Sequence, residues 1–373
     1  MSALGNEIVS RQAAAARQRG LDALVAMSPE NATYTAGFAV PSQALIRSRL
    51  VMCVVYADGD SLQIVADMEE SFARASSRLR EVRAYNEFTD NPADVLADAL
   101  LERGLKEGVI GLEMDFVPVF FYERLRERLP QARFVDAGPV YGELRAIKTP
   151  QEIEYLTRLG QIAERAHHEA AAKVKPGMTE MDLALAIYES LLRQGADGVA
   201  RLVVGSGERS THANPGPTDR RLVLGDVVRV DIFATLRGYM SDVARTYVVG
   251  KPTPEQVALW QKLLDARQFT LDMVRPGAST AQIYRAFSQR FLDLGLKPIQ
   301  FVGHGLGLTL HEEPYVGKYG DTVLQEGMVL CIEPYVTFPD FGFQVEDELV
   351  VTSSGYQLIT GEKFPVSELL VIA

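Results

Sequence analysis

Cysteine is scarce: Cys53 and Cys331 are the only two in 373 residues, too few for a disulfide scaffold or a structural zinc cluster. Positive charge is short as well. Lysine and arginine number 38 against 49 acidic residues, for a net charge of −11, which argues against nucleic acid as a partner. No apolar run approaches the roughly 18–20 residues of a membrane span; the longest covers about 50–57. The N-terminal stretch sets Glu7, Arg11, Arg17 and Arg19 among alanines, an amphipathic helix without the apolar centre of a secretory signal. Histidine is limited to five residues, none of them before position 143. The composition, 47% hydrophobic and 23% charged, supports packed cores rather than disorder. The expectation is an acidic, cytoplasmic protein that avoids membranes and has two to three domains of ~150 residues each.

Residues 1–142 alternate short apolar runs with helical stretches. Strands are expected over 23–27, 51–56, 62–66, 109–112 and 134–136, and amphipathic helices over 92–103 and 117–129. Such alternation predicts an α/β layer domain with a partly parallel sheet. Nothing in it has catalytic spacing, so it reads as a covering or dimerising domain. A second domain, 143–373, opens at Thr149-Pro150-Gln151-Glu152, where threonine can cap a helix and proline suits its first position. That helix should run to about Lys173. His167 and His168 lie on it about 100° apart, so they cannot share a metal, and they are expected to be ordinary surface or interface residues.

The second domain repeats itself. Val174-Lys175-Pro176-Gly177 returns as Val274-Arg275-Pro276-Gly277, and Thr179/Asp182 is matched by Ser279/Gln282 as an N-cap pair. Each copy then has a helix stopping at Gly195 or Gly295, a Gly-x-Gly at 205/207 or 305/307, and a glycine (Gly225 or Gly327) six residues before an acid (Asp231 or Glu333). Landmarks at so constant an offset predict one pseudo-symmetric α+β domain built by duplication.

Both copies place acids at hairpin spacing. Asp231 and Asp242 are symmetric about Leu236/Arg237 in strands 227–235 and 239–249. Glu333 and Glu346 are symmetric about Pro339/Asp340 in strands 328–336 and 343–351. In simple hairpins each pair would face across the ladder, with Cβ atoms ~4.5–5.5 Å apart; Pro334 hints at an edge or a bulge. Two anions ~4 Å apart at an effective dielectric of ~20 repel by roughly 4 kcal/mol. Building such a pair twice calls for divalent cations. Asp347 and Glu348, by contrast, read as solvated acids: the first has the wrong parity and the second has no acidic mate.

A nitrogen ligand should come from His304, delivered by strand-like 299–302 into Gly303-His304-Gly305-Leu306-Gly307, where small neighbours allow backbone to approach an ion or substrate closely. Four carboxylates and an imidazole suit manganese, cobalt or zinc, and they exceed what one three-ligand zinc requires. A pair of bridged ions fits. His212 and His311, at matching places in the repeat, could act as proton donors or oxyanion stabilisers. Cys331, two before Glu333, shares its parity and could line the site, but reads first as a small core filler, and Trp260 reads as packing.

These residues resemble those of the pita-bread metallopeptidases of family M24, the creatinase, prolidase, aminopeptidase P and methionine aminopeptidase group. The resemblance rests on Asp231, Asp242 with Arg245-Thr246, His304-Gly305-x-Gly307-Leu308-x-x-His311-Glu312-x-Pro314, Ile332-Glu333-Pro334 and Glu346-Asp347, and covers 145–373. The first half is similar to the creatinase/prolidase N-terminal domain, including Ser28-Pro29-Glu30-Asn31 and Gly37-Phe38. The resemblance implies that Asp231 chelates one metal, that His304 and Glu333 chelate the other, and that Asp242 and Glu346 bridge them. A bridging hydroxide would attack the scissile carbonyl, with His212, His311 and Glu333 as catalytic residues. It also implies a homodimer and a short peptide or small amide as substrate.

Three departures bear on specificity. Asn214 stands where proline-specific members place a histidine, twelve residues before Asp226; His212 could substitute if the loop is longer. Gln344 replaces a common arginine, and Tyr315 follows Pro314 where some prolidases carry arginine. Arginine there would bind a substrate carboxylate bidentately. The expected activity is an Xaa-Pro exopeptidase, dipeptidase or aminopeptidase P-like, with Asn214, Tyr315 and Gln344 as substrate contacts. The alternative is hydrolysis of another C–N bond, in a small amidine or modified amino acid.

Overall fold

The computed structural model describes residues 3–364 and 366–373. The chain divides into two compact units, Met1–Arg145 and Ala146–Ala373. In the first, strands β1 (Ala23–Ala26), β2 (Met52–Tyr56), β3 (Ser61–Ala66), β4 (Glu81–Tyr85), β5 (Val109–Leu112) and β6 (Arg133–Asp136) form one sheet in the order β4-β3-β2-β1-β5-β6. The β1–β5, β5–β6 and β3–β4 pairs are parallel, and β1–β2 and β2–β3 are antiparallel, so the partly parallel α/β layer is present. Apolar clusters pack on both faces. Strand β4 escaped the sequence reading because it is an edge strand. Glu81 and Arg83 pair with each other on its surface, and Arg83 also pairs with Glu102, the charge pattern that guards an open edge.

The second unit carries the duplication. The helices Pro150–Lys173 and Glu180–Arg193 correspond to Pro254–Leu271 and Thr280–Asp293. Thr149 and Thr253 start the long helices with reciprocal capping boxes, and Thr179 and Ser279 cap the short ones by accepting from Asp182 N and Gln282 N. Gly177 N donates to Leu222 O and Gly277 N to Leu324 O, while Thr179 bridges to Arg221 and Ser279 to Val323. The two copies therefore agree in their backbone bonds as well as in sequence.

The strands of this unit are β7 (Gly198–Ser206), β8 (Val227–Leu236), β9 (Tyr239–Met240), β10 (Val243–Val249), β11 (Phe301–Gly305), β12 (Glu312–Gly317), β13 (Val329–Ile332), β14 (Tyr335–Thr337), β15 (Gly342–Gln344), β16 (Asp347–Val351), β17 (Tyr356–Leu358) and β18 (Leu370–Ile372). They form the sheets β18-β10-β8-β7 (with β9 on β8), β12-β11-β13-β16-β17, and β14-β15. Each large sheet has its own apolar cluster, with Trp260 in the second copy as packing.

His167 corrects the sequence reading. It is wholly buried, with Nδ1 at 2.7 Å from Tyr247 Oη and Nε2 at 2.9 Å from Val243 O. Burial holds it well below the usual imidazole range. It is a satisfied core histidine joining helix to sheet. His168 is half-buried and stacks on Phe364 with ring centroids 4.4 Å apart.

Candidate metal centre

Asp231 lies in β8 opposite Ala244 of β10, not opposite Asp242. The turn centres on Arg237 and Gly238, both at positive φ (53° and 84°), as a two-residue type I′ connection requires. The expected centre was one residue earlier, and that displacement moves every partner by two positions. Two positions preserve the face. Asp242 therefore stays on the side of Asp231, as a diagonal neighbour in the gap between β9 and β10. Ser241 fills that gap by donating its N–H to Ala234 O and accepting from Ala234 N.

In the second copy the expected register holds. Ile332 pairs with Asp347 and Tyr335 with Gln344, so Glu333 and Glu346 fall opposite each other where the ladder is interrupted. Pro334 sits at the break, and the two N–H groups turn elsewhere: Glu333 N donates to Val302 O and Glu346 N to Ala244 O. The second bond ties the two sheets together beside the acids.

His304 on β11 completes the group. Its Nε2 is 3.2 Å from Glu333 Oε1, 3.4 Å from Asp242 Oδ2 and 3.9 Å from Glu346 Oε1, and its Nδ1 contacts Gly305 O at 3.0 Å. The flanking glycines do a different job from the expected one. A Cβ at Gly303 would lie 2.2 Å from Cys331 O, and one at Gly305 2.4 Å from Glu313 O; the close approach is to neighbouring strands. Cys331 pairs with His304 across the ladder, and one potential donor atom from each of Asp242, His304, Cys331 and Glu346 lies within 4.8 Å of the others. Cys331 therefore lines the cluster, which corrects its reading as core filler.

All five residues are buried. Asp231 Oδ1, Asp242 Oδ1, Glu346 Oε1 and His304 Nε2 have no hydrogen-bond partner. Burial, opposed by Arg229 and reinforced by Glu333, pushes the Asp231 carboxyl up to about 7. Burial and the neighbouring acids hold Asp242 and Glu346 well above the usual range. Buried polar atoms are normally paired, and converging oxygens and an imidazole nitrogen without donors suit a divalent cation.

His311 lies against this group. Its ring stacks on His304 at 3.7 Å between centroids and 13° between planes. Desolvation and the His304 neighbour lower it to about 4, so it is a neutral imidazole at neutral pH. Tyr315 and Phe301 flank the pair at 5.8 and 5.9 Å from His311, and both line a cavity of about 350 Å³ with Gln300, Glu313, Lys318 and Tyr319. His212 and Asn214 are exposed, and their described contacts are through their backbones: His212 O accepts from Arg229 Nη2, and Asn214 O from Arg201 Nη2 at 2.6 Å. Gln344 is buried. Its Nε2 donates to Glu333 Oε2 (3.2 Å) and Glu346 Oε2 (3.4 Å), and its Oε1 accepts from Arg229 Nη1 (2.7 Å).

Asp347 and Glu348 are fully buried, which overturns their reading as solvated acids. Asp347 accepts from Arg245 Nη2 and Arg267 Nε, both at 2.7 Å, and Arg245 also reaches Glu164. Burial alone would raise Asp347, yet the two guanidinium groups hold it below the usual carboxylate range. Glu348 Oε1 accepts from Asp242 N at 2.8 Å, and burial pushes Glu348 up to about 8. These acids form a layer that fixes the backbone behind the cluster. Sequence reading also missed Arg229, although its parity with Asp231 in an otherwise apolar strand was a usable signal.

The comparisons agree with this geometry. Residues 154–353 match the model of metallopeptidase family M24, and residues 9–147 match the creatinase/prolidase N-terminal domain. A probable dipeptidase PepE of Mycobacterium bovis is 36% identical over 223 residues, which span 59% of this chain and 60% of that relative's length. An Xaa-Pro dipeptidase of Pyrococcus furiosus is 29% identical, with 82% of this chain and 86% of the relative aligned. The crystal structure of dipeptidase PepE from Mycobacterium ulcerans superposes with a TM-score of 0.85 at 32% identity, covering 99% and 98% of the two chains. With the family model spanning more than half of its length, the chain belongs to metallopeptidase family M24.

Proposed function

We propose that this chain is a two-metal exopeptidase that cleaves the bond before proline in short peptides, with dipeptides as the main substrates. The observation that carries the reading is the buried group of Asp231, Asp242, Glu333, Glu346 and His304, in which Asp231 Oδ1, Asp242 Oδ1, Glu346 Oε1 and His304 Nε2 have no hydrogen-bond partner. Asp231 would hold one ion and His304 with Glu333 the other, while Asp242 and Glu346 would touch both. When bound, the ions supply Lewis acidity toward the carbonyl and an activated water; manganese is the first choice, then cobalt or zinc.

The remaining steps fall to the side chains. Glu333, the least enclosed of the four acids, would take a proton from the attacking water and pass it to the leaving nitrogen. His311, neutral and fixed by its stack on His304, can donate an N–H to the oxygen that gains charge. The Phe301 and Tyr315 rings wall the adjoining cavity, where a proline ring would find apolar contact. His212 and Asn214 lie on the exposed loop at 212–214, suited to contact a substrate's outer end. The Xaa-Pro dipeptidase of Pyrococcus furiosus supports the substrate class.

A second reading, hydrolysis of a C–N bond in a small amidine or modified amino acid, is favoured by the mixed lining of that cavity, in which Glu313 and Lys318 join three aromatic residues. The deciding assay offers metal-loaded protein Xaa-Pro dipeptides, Xaa-Pro-Yaa tripeptides and matched peptides lacking proline. Turnover of the dipeptides first, with no cleavage of the proline-free set, is the expected result. Failure on all three sets rejects the peptidase reading.

A further inference from the structure

Arg229 is a cation buried beside the acids, and its hydrogen bonds have a consistent direction. Nε donates to Ser210 O at 3.2 Å, Nη2 to His212 O and to Ala213 O (2.6 Å), and Nη1 to Gln344 Oε1 at 2.7 Å. The carbonyl missing from that series, Thr211 O, accepts from Tyr335 Oη at 3.0 Å, and Arg229 lies 5.0 Å over the Tyr335 ring. Two buried or half-buried side chains thus satisfy four successive carbonyls. The loop is further pinned by Gly342 N donating to Ser210 Oγ at 2.9 Å, and a Cβ at Gly342 would lie 2.5 Å from Ser210 O. Of the five N–H donors on a guanidinium, four are used by these bonds, so Arg229 is not free to grip a substrate carboxylate.

We infer that Arg229 is a positioning residue that couples the loop carrying His212 and Asn214 to the acids Glu333 and Glu346, with the Gln344 carboxamide as the link. Gln344 is oriented by Arg229 at its oxygen, and its nitrogen donates to both glutamates. Its backbone is held by Thr246, whose Oγ1 donates to Gln344 O at 2.8 Å and accepts from Gln344 N at 3.0 Å. Thr246 is itself the ladder partner of Arg229. Anything that reorients Glu333 or Glu346, a bound ion first of all, therefore changes the bonds available to Gln344 and through Arg229 those of the loop. Coupling of this kind is reciprocal: ordering the loop, as a substrate would, tightens ion binding by the same factor. The metal half of this inference rests on the proposed function, whereas the loop half rests on the Arg229 contacts alone.

The test is hydrogen exchange at the amides of 208–214, with and without manganese, in the parent chain, Arg229→Met and Gln344→Leu. In the metal-free proteins Arg229→Met should speed exchange there by about tenfold or more, the loss expected for charged hydrogen bonds, while Gln344→Leu changes it little because the loop bonds remain. Manganese should slow exchange in the parent chain but not in Gln344→Leu, although calorimetry still shows the variant binding the ion. KM should rise in both variants more than kcat falls, and Arg229→Lys, which keeps the charge but not the fork, should not rescue it. Unchanged exchange in Arg229→Met, or a manganese response in Gln344→Leu equal to that of the parent, overturns the inference. A parent chain that binds no manganese overturns the metal reading instead. If Arg229→Met does not fold, Gln344→Leu still decides the coupling.

Discussion

Between β8 and β10, Asp231 faces Ala244 and Asp242 stands one diagonal away; between β13 and β16, Glu333 and Glu346 fall opposite each other. One hairpin closes through a two-residue turn and breaks its ladder at Ser241 and Asp242. The other breaks at Pro334 and continues as β14 and β15. Both interruptions occur where an acid must leave the ladder, and in both the freed N–H finds a partner outside its own hairpin: Asp242 N on Glu348, Glu346 N on Ala244 O. Duplication supplied the scaffold, and the copies then diverged in how they aim their acids. The difference matters for charge. Among the described residues Asp242, His304, Cys331 and Glu346 each offer an atom within 4.8 Å of the others, and Asp231 and Glu333 stand outside that set, although Glu333 Oε1 lies 3.2 Å from His304 Nε2.

The largest expected effect breaks this asymmetry directly. Asp242→Asn or Glu346→Gln should abolish binding of both ions and cut kcat/KM by about a thousandfold or more, since a metal contributes several kcal/mol at ~1.4 kcal/mol per decade. Asp231→Asn should leave one ion bound, as metal content per chain would show. Equal losses from all three substitutions would remove the distinction between Asp231 and the two acids, one from each hairpin, that lie closest to one another and to His304.

Next comes the layer behind the acids. Arg245 is buried between Glu164 and Asp347, and Arg245→Met strands Glu164 and leaves Asp347 with Arg267 alone, so unfolding in urea should show a loss of about 3–5 kcal/mol. Third, the metal-free protein should lose stability as pH rises. Asp231 and Glu348 are raised to about 7 and about 8, and Asp242 and Glu346 are raised too. The folded state therefore holds protons that the unfolded chain has released above about pH 4. The stabilisation these groups give is complete below that pH and is lost as pH climbs through their folded values. Thermal melts in chelator should show Tm falling from about pH 6.5 to 8, above the window in which the lowered His167 and His311 act in the opposite sense, and added manganese should raise Tm most at the upper end, because ion binding displaces those protons. Smallest is Gly238→Ala in the first hairpin alone. At a φ of 84° it should cost about 1 kcal/mol without changing metal content.

The second hairpin was legible in the sequence to the residue, because Pro339 and Asp340 mark its centre and the two glutamates are equidistant from it. The first was legible only to the face. Arg237 occupies a left-handed position that usually belongs to glycine or asparagine, so the turn was centred one residue early. Asp347 and Glu348 were misread for a different reason. Strand β16 is buried along its whole length, because the helix Pro150–Lys173 covers its far side at Gly160, where a Cβ would meet Glu348 Oε2 at 2.3 Å. Alternation separates wet from dry only when one face of a sheet meets water. Arg229 was passed over because its partners are backbone carbonyls of a loop whose path depends on tertiary folding. The N-terminal α/β layer and its helices at 92–102 and 119–128 followed from periodicity, whereas the charged edge strand β4 and the short helices Pro29–Ala36, Glu70–Ser76 and Gly138–Ala146 did not.

The central claim is that the converging acids and His304 exist to hold divalent ions. Titrating the metal-free chain with manganese in a calorimeter, with elemental analysis of the dialysed product, tests it without reference to any substrate. Two ions per chain, falling to none in Asp242→Asn and one in Asp231→Asn, is the predicted result. Uptake of no ion by the folded parent chain would contradict it.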